Sequence, residues 1–493
     1  MAALLFVLIM TVIWPRPSIT AEANGPLLVR VSAASPYGNC APAEGEPASN
    51  YYLNAEVEPR VAVNPATVGT DHVNVVGVWQ QDRAIDAGAH GIVAASSFDG
   101  GRTWSETPIP FTHCTPGGLP LDRASDPWVS AGPDGTVYAS AISVAPPKNI
   151  GILPFSASAA VSHDGGRTWS NVQVVSAEAA DKSSILADPT RPGTAYLVWD
   201  APSSGVTRLS RTVDGGKTWS AAHTIKAVGD GGGGGHGGGY GHELLVDPRS
   251  HVLYDVYATA TVKPVTKVCT RVKVTKHPKG RKRCKMVRHA PVAYLDLIAS
   301  RNGGATWSKS RIIARVGAGP AELGALVRAI ASLPDAAIDP VNGSLHVVWL
   351  QRFAGEQHDG IASSSSSDGG RHWSRLVQIN GSPHKRAILP SVAVNAQGVV
   401  GVTYYDFVDR SKPPTLPTNL WFVSSSDHGV HFGAPVHVAG PFDLTTAPNS
   451  GGYFLGDYQG LAVAGLSFVP FFVMANSNAI DNRTDVFSTS ILS

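Results

Sequence analysis

Charge is scarce in this chain: Asp, Glu, Lys and Arg make up 15% of its 493 residues, where an ordinary soluble domain carries about a quarter. With 52 Gly and 36 Pro beside so little charge, the composition argues against a helical protein and for short strands joined by many turns. An apolar run long enough to span a bilayer comfortably is missing where one would be looked for, at the N-terminus. Residues 2–14 are apolar but too few, and Pro15-Arg16-Pro17 ends them. A run of that length suits the apolar region of a signal peptide, with Ala21 and Ala23 as small cleavage residues, although no Lys or Arg precedes it. Residues 1–23 are therefore read as a signal peptide and the protein as secreted, an N-terminal membrane anchor being the alternative. Cysteine is limited to four residues, and no Cys-x-x-Cys or clustered His-Cys spacing suggests zinc. In an oxidising compartment four cysteines suggest two disulfides, Cys269 with Cys284 and Cys40 with Cys114; the first would close a short loop worth about 3 kcal/mol. No cofactor is expected, a structural Ca²⁺ being conceivable.

Acid is absent from one stretch. Residues 263–288 hold eleven Lys or Arg and no Asp or Glu, so the formal net charge of +2 conceals a remainder of 28 basic against 37 acidic residues. Alternation in Arg271-Val-Lys-Val-Thr-Lys276 before Pro278-Lys-Gly280 reads as a disulfide-closed hairpin. It could bind an anionic cell-surface polymer or simply stand solvated; nucleic acid is not expected as a partner of an exported protein, and the chain is expected to be monomeric. The glycine-rich stretch 229–241 is not followed by a helix, so it reads as a flexible loop and not as a phosphate cradle. Metal binding by His236 and His242 is the lesser reading.

What the chain has in abundance is one turn. Ser-x-Asp-x-Gly-x-Thr-Trp occurs at Ser97–Trp104 and again at Ser162–Trp169. Variants run from Thr212 to Trp219, Ser300 to Trp307, Ser366 to Trp373 and Ser425 to Phe432. Asp and Ser or Thr side chains can bond nearby backbone groups, and glycine accepts the positive φ of a tight turn. Each copy follows a β-like run such as Gly91-Ile-Val-Ala-Ala-Ser96, so it should join two strands of a hairpin. A repeat of this kind sets the fold.

These residues form the Asp box, and with six of them the chain resembles the sialidase-like, Asp-box (BNR-repeat) β-propeller superfamily from Glu58 onward. The resemblance implies an all-β propeller of four-stranded blades with the boxes on the rim, away from any catalytic face. Innermost strands are expected at 59–64, 127–132, 183–187, 244–247, 336–339 and 391–395. A unit without a box would use 459–464, 467–475 and 484–492. Residues 27–31, within an N-terminal segment 24–57, could supply its fourth strand and protect the edges. Seven blades are expected over 58–493, six being the alternative.

Ligands bind propellers at the mouth where inner strands begin, and here those beginnings are acidic: Glu58, Asp126, Asp181, Glu243, Asp335 and Asp457. Such carboxylates would repel one another unless cations or raised pKa values intervened; Arg60, Arg123 and Lys182 lie beside them in sequence. The resemblance implies a Tyr nucleophile activated by Glu, an Asp acid/base and three arginines for the substrate carboxylate. Glu243 matches the Glu, Arg60 the first arginine, Arg83 the second arginine contact, and Asp86 or Asp82 the acid/base, with Asp126 as an acidic substrate contact. Pro390 stands where the Tyr belongs, so Tyr458, one unit later, becomes the candidate. Asp406 resembles the carboxylate that orients the first arginine. Ala258 occupies roughly the place of an arginine, and Arg352 is a loose substitute. The function expected is a glycoside hydrolase resembling an exo-α-sialidase. The alternatives are a hydrolase or lyase for a non-sialic sugar using paired carboxylates such as Asp126 and Glu243, and a non-catalytic glycan- or surface-binding propeller.

Overall fold

The computed structural model describes residues 19–20, 26–42, 46–144, 155–226, 239–261, 266–274, 277–287, 292–317, 326–329, 333–353, 359–380, 385–408, 414–477 and 479–492. The apolar run 2–14 and most of the glycine-rich stretch 229–241, His236 included, lie outside them. Among the described residues the chain is all-β, broken only by three short 3-10 turns. Its strands form four-stranded antiparallel meanders in a propeller-like arrangement.

The first meander runs through Glu56–Val63, Val75–Arg83, Ala89–Ser97 and Ser105–Ile109. Later ones begin at Arg123–Ala131, Asp181–Ala187, Tyr240–Val246, Asp335–Ile338 and Arg386–Val394. A single bridge, Ala89↔Ala124, fuses the first two into one eight-stranded sheet. The last begins at Gly460–Ala464 and continues through Ser467–Ala475 and Thr484–Ser488. Its outer strand is Leu28–Arg30, from the other end of the chain, paired through Val29↔Ser488 and Arg30↔Phe487. Each opening strand packs on the next, and Gly460–Ala464 packs in turn on Glu56–Val63.

Apolar alternation explains the packing between meanders. Trp79, Trp199 and Trp349 occupy equivalent places in second strands and are fully buried. At Gly77 a Cβ would lie 2.1 Å from the Phe471 ring, so only glycine lets the first meander close on the last. The boxes stand between third and fourth strands as expected. In the first, Asp99 Oδ1 accepts from the Thr103 N–H at 2.9 Å and Asp99 Oδ2 from the Thr103 hydroxyl at 2.6 Å. Ser97 Oγ accepts the Gly101 N–H at 2.8 Å, and the Trp104 indole donates to Gly101 O at 3.0 Å. Histidine substitutes for threonine in the last two boxes by offering Nδ1 to Asp368 and Asp427 at 2.6 and 2.7 Å.

Both disulfides form, Cys40–Cys114 and Cys269–Cys284. The basic insertion is a two-stranded hairpin, Thr266–Val274 against His277–Val287, with its disulfide at a directly opposed pair.

One expectation is corrected. Five opening strands start several residues earlier than their apolar runs suggest, because each contains a bulge. Register shifts occur at Val57/Arg60, Ser125/Trp128, Asp181/Ser184, Tyr240/Glu243 and Ile388/Ser391. In each bulge one residue has positive φ: Glu58 (56°), Asp126 (52°), Lys182 (48°), Gly241 (65°) and Leu389 (50°). A bulge re-aims side chains, and these five do so at the same end of the molecule.

Candidate functional site

The bulges bring most of the sequence-expected residues together. Two connected spaces open at that end. A small inner cavity of about 40 Å³ is lined from every opening strand, by Arg60, Asp126, Lys182, Glu243, Asp335, Leu389 and, just before the last strand, Tyr458. An outer cleft of about 620 Å³ is lined by Glu58, Arg83, Asp86, Asp126, Asp181, Lys182 and Arg328. Asp126 and Lys182 belong to both and form the wall between them.

Arg60 organises the inner cavity. Its guanidinium donates to Glu243 Oε1 at 2.6 Å, to both Asp335 oxygens at 3.2 and 3.3 Å, and to Gln459 O at 3.1 Å. It also lies flat on Trp128, 3.7 Å from the ring centroid, a cation–π contact made in a dry place. The Ala336 N–H donates to Glu243 Oε2 at 2.7 Å. Burial, with Asp335 beside it, holds the Glu243 carboxyl well above the usual carboxylate range despite Arg60. Tyr458 donates its hydroxyl to Pro127 O at 2.9 Å and packs edge-on against Trp128. Burial and the nearby Glu58 and Asp126 push its phenol well above its ordinary value. Glu243 and Tyr458 thus line one cavity with different hydrogen-bond partners.

Asp457 and Lys182 organise the second cluster. Lys182 Nζ sits 2.6 Å from Asp457 Oδ2 and 3.4 Å from Asp126 Oδ2. Arg328 reaches the same Asp457 oxygen at 2.9 Å and lies 4.3 Å over the Phe454 ring. Burial alone would raise Asp457; Lys182 and Arg328 outweigh it and hold the group at about 2. The same ring of carboxylates keeps the Lys182 ammonium charged although it is buried. Glu58 is the opposite case. Burial, with Asp126 and Asp457 adding and Lys182 and Arg83 opposing, lifts it to about 8, and Gln80 and the Asp457 N–H hold its oxygens. Asp181 is exposed, yet the cleft walls and Asp126 lift its carboxyl to about 6. Repulsion among the acids is relieved by both available devices: internal cations and retained protons. The ammonium of Lys182 stands at the centre of the ring.

The remaining candidates divide. Arg83 lines the outer cleft and is fixed by Gln80 Oε1 (2.9 Å), Gly88 O (3.1 Å) and Ser450 Oγ (3.0 Å). Asp86 also lines the cleft, exposed, and accepts from Arg123 at 2.6 Å. Asp82 is buried away from both spaces, where it accepts from the Asn54 N–H (2.7 Å) and the Ser35 hydroxyl (2.6 Å) and pairs with His90 (3.1 Å). Asp406 binds Lys385 at 3.0 Å, whereas the carboxylates on Arg60 are those of Glu243 and Asp335. Arg352 binds Asp359 at 2.9 Å, and Ala258 is buried within Leu253–Thr261. His242 is enclosed by Asp255 (2.7 Å) and Asp200 (3.1 Å), which overcome its burial and lift it to about 10.

Arg328 and Trp128 were not legible as site residues. Arg328 belongs to an insertion outside the meanders, so no repeat points to it. Trp128 follows Asp126-Pro127 inside a bulge, and a positive-φ acid followed by proline is the one local signal that could have marked it.

No protein-family model matches the chain, and no curated protein matches it. Among solved structures it is similar to a Hadza microbial sialidase at 14% identity and TM-score 0.43, over 89% of this chain and 66% of that one. It is similar to the NanB sialidase of Streptococcus pneumoniae at 12% identity and TM-score 0.43, over 90% and 69%. An α-L-arabinanase of Penicillium chrysogenum complexed with arabinobiose matches at 14% identity and TM-score 0.41, over 90% and 95%. The chain spans about two-thirds of the length of these sialidases.

Proposed function

We propose that the protein is an exported seven-bladed propeller that hydrolyses glycosidic bonds in the outer cleft, with Asp181 as proton donor and Asp126 as the carboxylate partner. The observation that carries this reading is the pairing of unlike carboxyls in one cleft. Asp181 is accessible and titrates at about 6, so it can hold a proton near neutrality and release it. Asp126 has one oxygen bound by the Ser125 hydroxyl at 2.7 Å, while its buried Oδ2 lacks a hydrogen-bond partner and faces only the Lys182 ammonium. In such a pair one carboxylic acid protonates the leaving oxygen and one carboxylate attacks or activates water. Arg83 in the same cleft, whose hydrogen bonds go to neutral oxygens, would receive an acidic group on the sugar, as a sialoside would present. A Tyr458–Glu243 relay is the less supported route, since Tyr458 is held strongly protonated and donates to Pro127.

The ring of opening strands, with Leu28–Arg30 as the last outer strand, supports seven blades. Two disulfides support an oxidising compartment. The basic hairpin would hold the protein to an anionic surface.

The test is sugar release by the purified protein from sialosides and from neutral aryl glycosides, with Asp126→Asn, Asp181→Asn and Tyr458→Phe. The expected result is a fall in kcat of roughly 10²–10⁴-fold for either Asp variant and a small change for Tyr458→Phe. Activity should decline as pH rises past about 6, where Asp181 loses its proton. Full activity in both Asp variants would overturn the assignment, and silence across the panel would favour a binding module.

A further inference from the structure

On the face opposite the mouth, between the meander opening at Tyr240–Val246 and the one opening at Asp335–Ile338, lies a groove of about 440 Å³. Arg301, Arg311 and Arg371 line it together with Tyr254 and Trp307. All three arginines are exposed, and all three act on the Tyr254 hydroxyl, opposing the rise that burial gives it. Among the described residues none of the three forms an ion pair. The nearest bond is from Arg311 to Gly369 O at 3.5 Å. Asp368, the acid in the groove, is already committed to its own box, accepting from the Arg371 N–H (2.9 Å), the His372 N–H (3.0 Å) and His372 Nδ1 (2.6 Å).

The preceding junction shows the same scaffold with one arginine paired to an acid. There Tyr196 donates to Asp188 at 3.3 Å, Arg191 pairs with Asp188 at 3.8 Å, and Arg211 is bound to Gly303 O at 3.3 Å. At the arginine groove the matching acid, Asp247, accepts from the Ser250 hydroxyl at 2.6 Å and the Arg249 N–H at 2.9 Å, much as Asp188 accepts from Thr190, but among the described residues it pairs with none of the three arginines. Three convergent cations, none ion-paired among the described residues, stand beside two aromatic rings, an arrangement suited to an anion.

We propose that this groove binds an acidic oligosaccharide, its carboxylate or sulfate groups on Arg301, Arg311 and Arg371 and a sugar ring against the partly exposed Trp307. The volume suits an extended ligand, and planar guanidinium groups match both kinds of anion. The site is separate from the proposed hydrolytic cleft and does not depend on that reading.

Titration of the full chain with short oligogalacturonates, sulfated oligosaccharides, neutral dextran oligomers and single-stranded DNA tests it. The comparison is between the natural protein, R301Q/R311Q/R371Q, and a hairpin control, R281Q/K282Q/R283Q. Kd for an acidic oligosaccharide should rise about tenfold or more in the groove variant, lose much of its salt dependence, and persist in the hairpin control. The oligogalacturonate and sulfated arms distinguish the two anionic groups. Melting temperature checks folding, and R371Q alone replaces the triple variant should that one fail to fold. Unchanged affinity in the groove variant, equal binding of neutral dextran, or tighter binding of DNA would overturn the proposal.

Discussion

The two ends of each meander treat aspartate in opposite ways. At the box end, Asp214 is exposed, and the Thr218 hydroxyl and N–H and the Thr212 hydroxyl hold its carboxyl at about 2. Every partner lies within four residues. At the mouth end, Glu58 is buried and lifted to about 8, and its neighbours Asp126, Lys182 and Asp457 come from three other meanders. One end uses acids as local staples for a turn, while the other accumulates them at the cost of protons and imported cations. Local hydrogen bonds make the first arrangement self-sufficient; the second exists only when the opening strands converge. Concentrated, perturbed carboxyls at one end of a repetitive scaffold make that end the candidate site.

The comparison can be broken most severely at Asp457. Asp457→Asn leaves the buried Lys182 ammonium and Arg328 short of their main counter-charge, and urea unfolding should show a loss of about 3–5 kcal/mol. A loss below about 1 kcal/mol would mean that the mouth cluster is not held by this pair.

Protonation should separate the ends next. Glu58 has a folded pKa above its unfolded one, so its folded form keeps a proton that the unfolded chain releases. Its contribution therefore falls as pH rises from about 4.5 to about 8. Asp214 runs the other way: stability from its bonds is present above the usual aspartate range and lost as pH falls toward about 2. Denaturation midpoints measured across pH should lose part of the alkaline decline in Glu58→Gln and part of the acid decline in Asp214→Asn. Identical profiles for the two variants would erase the distinction.

The smallest effect belongs to a single box. Asp99→Ala removes the acceptor for the Arg102 and Thr103 N–H groups at a partly exposed turn, and should cost about 1 kcal/mol by thermal unfolding.

How much was legible follows the same division. The six boxes, the pairing of the strand near residue 29 with the last meander and both cysteine pairs could be read because each rests on local turn chemistry, strand alternation or plain counting. The mouth acids were legible as a class, since they open the apolar runs. Their partners were not. Arg60 was expected to hold substrate, yet its guanidinium is already committed to Glu243 and Asp335, residues 183 and 275 positions away. Asp82 and Asp86 looked equivalent in sequence, and four residues of strand and turn put one inside the protein and the other on the cleft.

By itself the sequence determined the meander, because alternation and box turns act over fewer than ten residues. Which acids keep their protons, which cations they capture and where three arginines come to line one groove were decided only by tertiary structure, since electrostatic energy depends on distance and burial and not on separation along the chain.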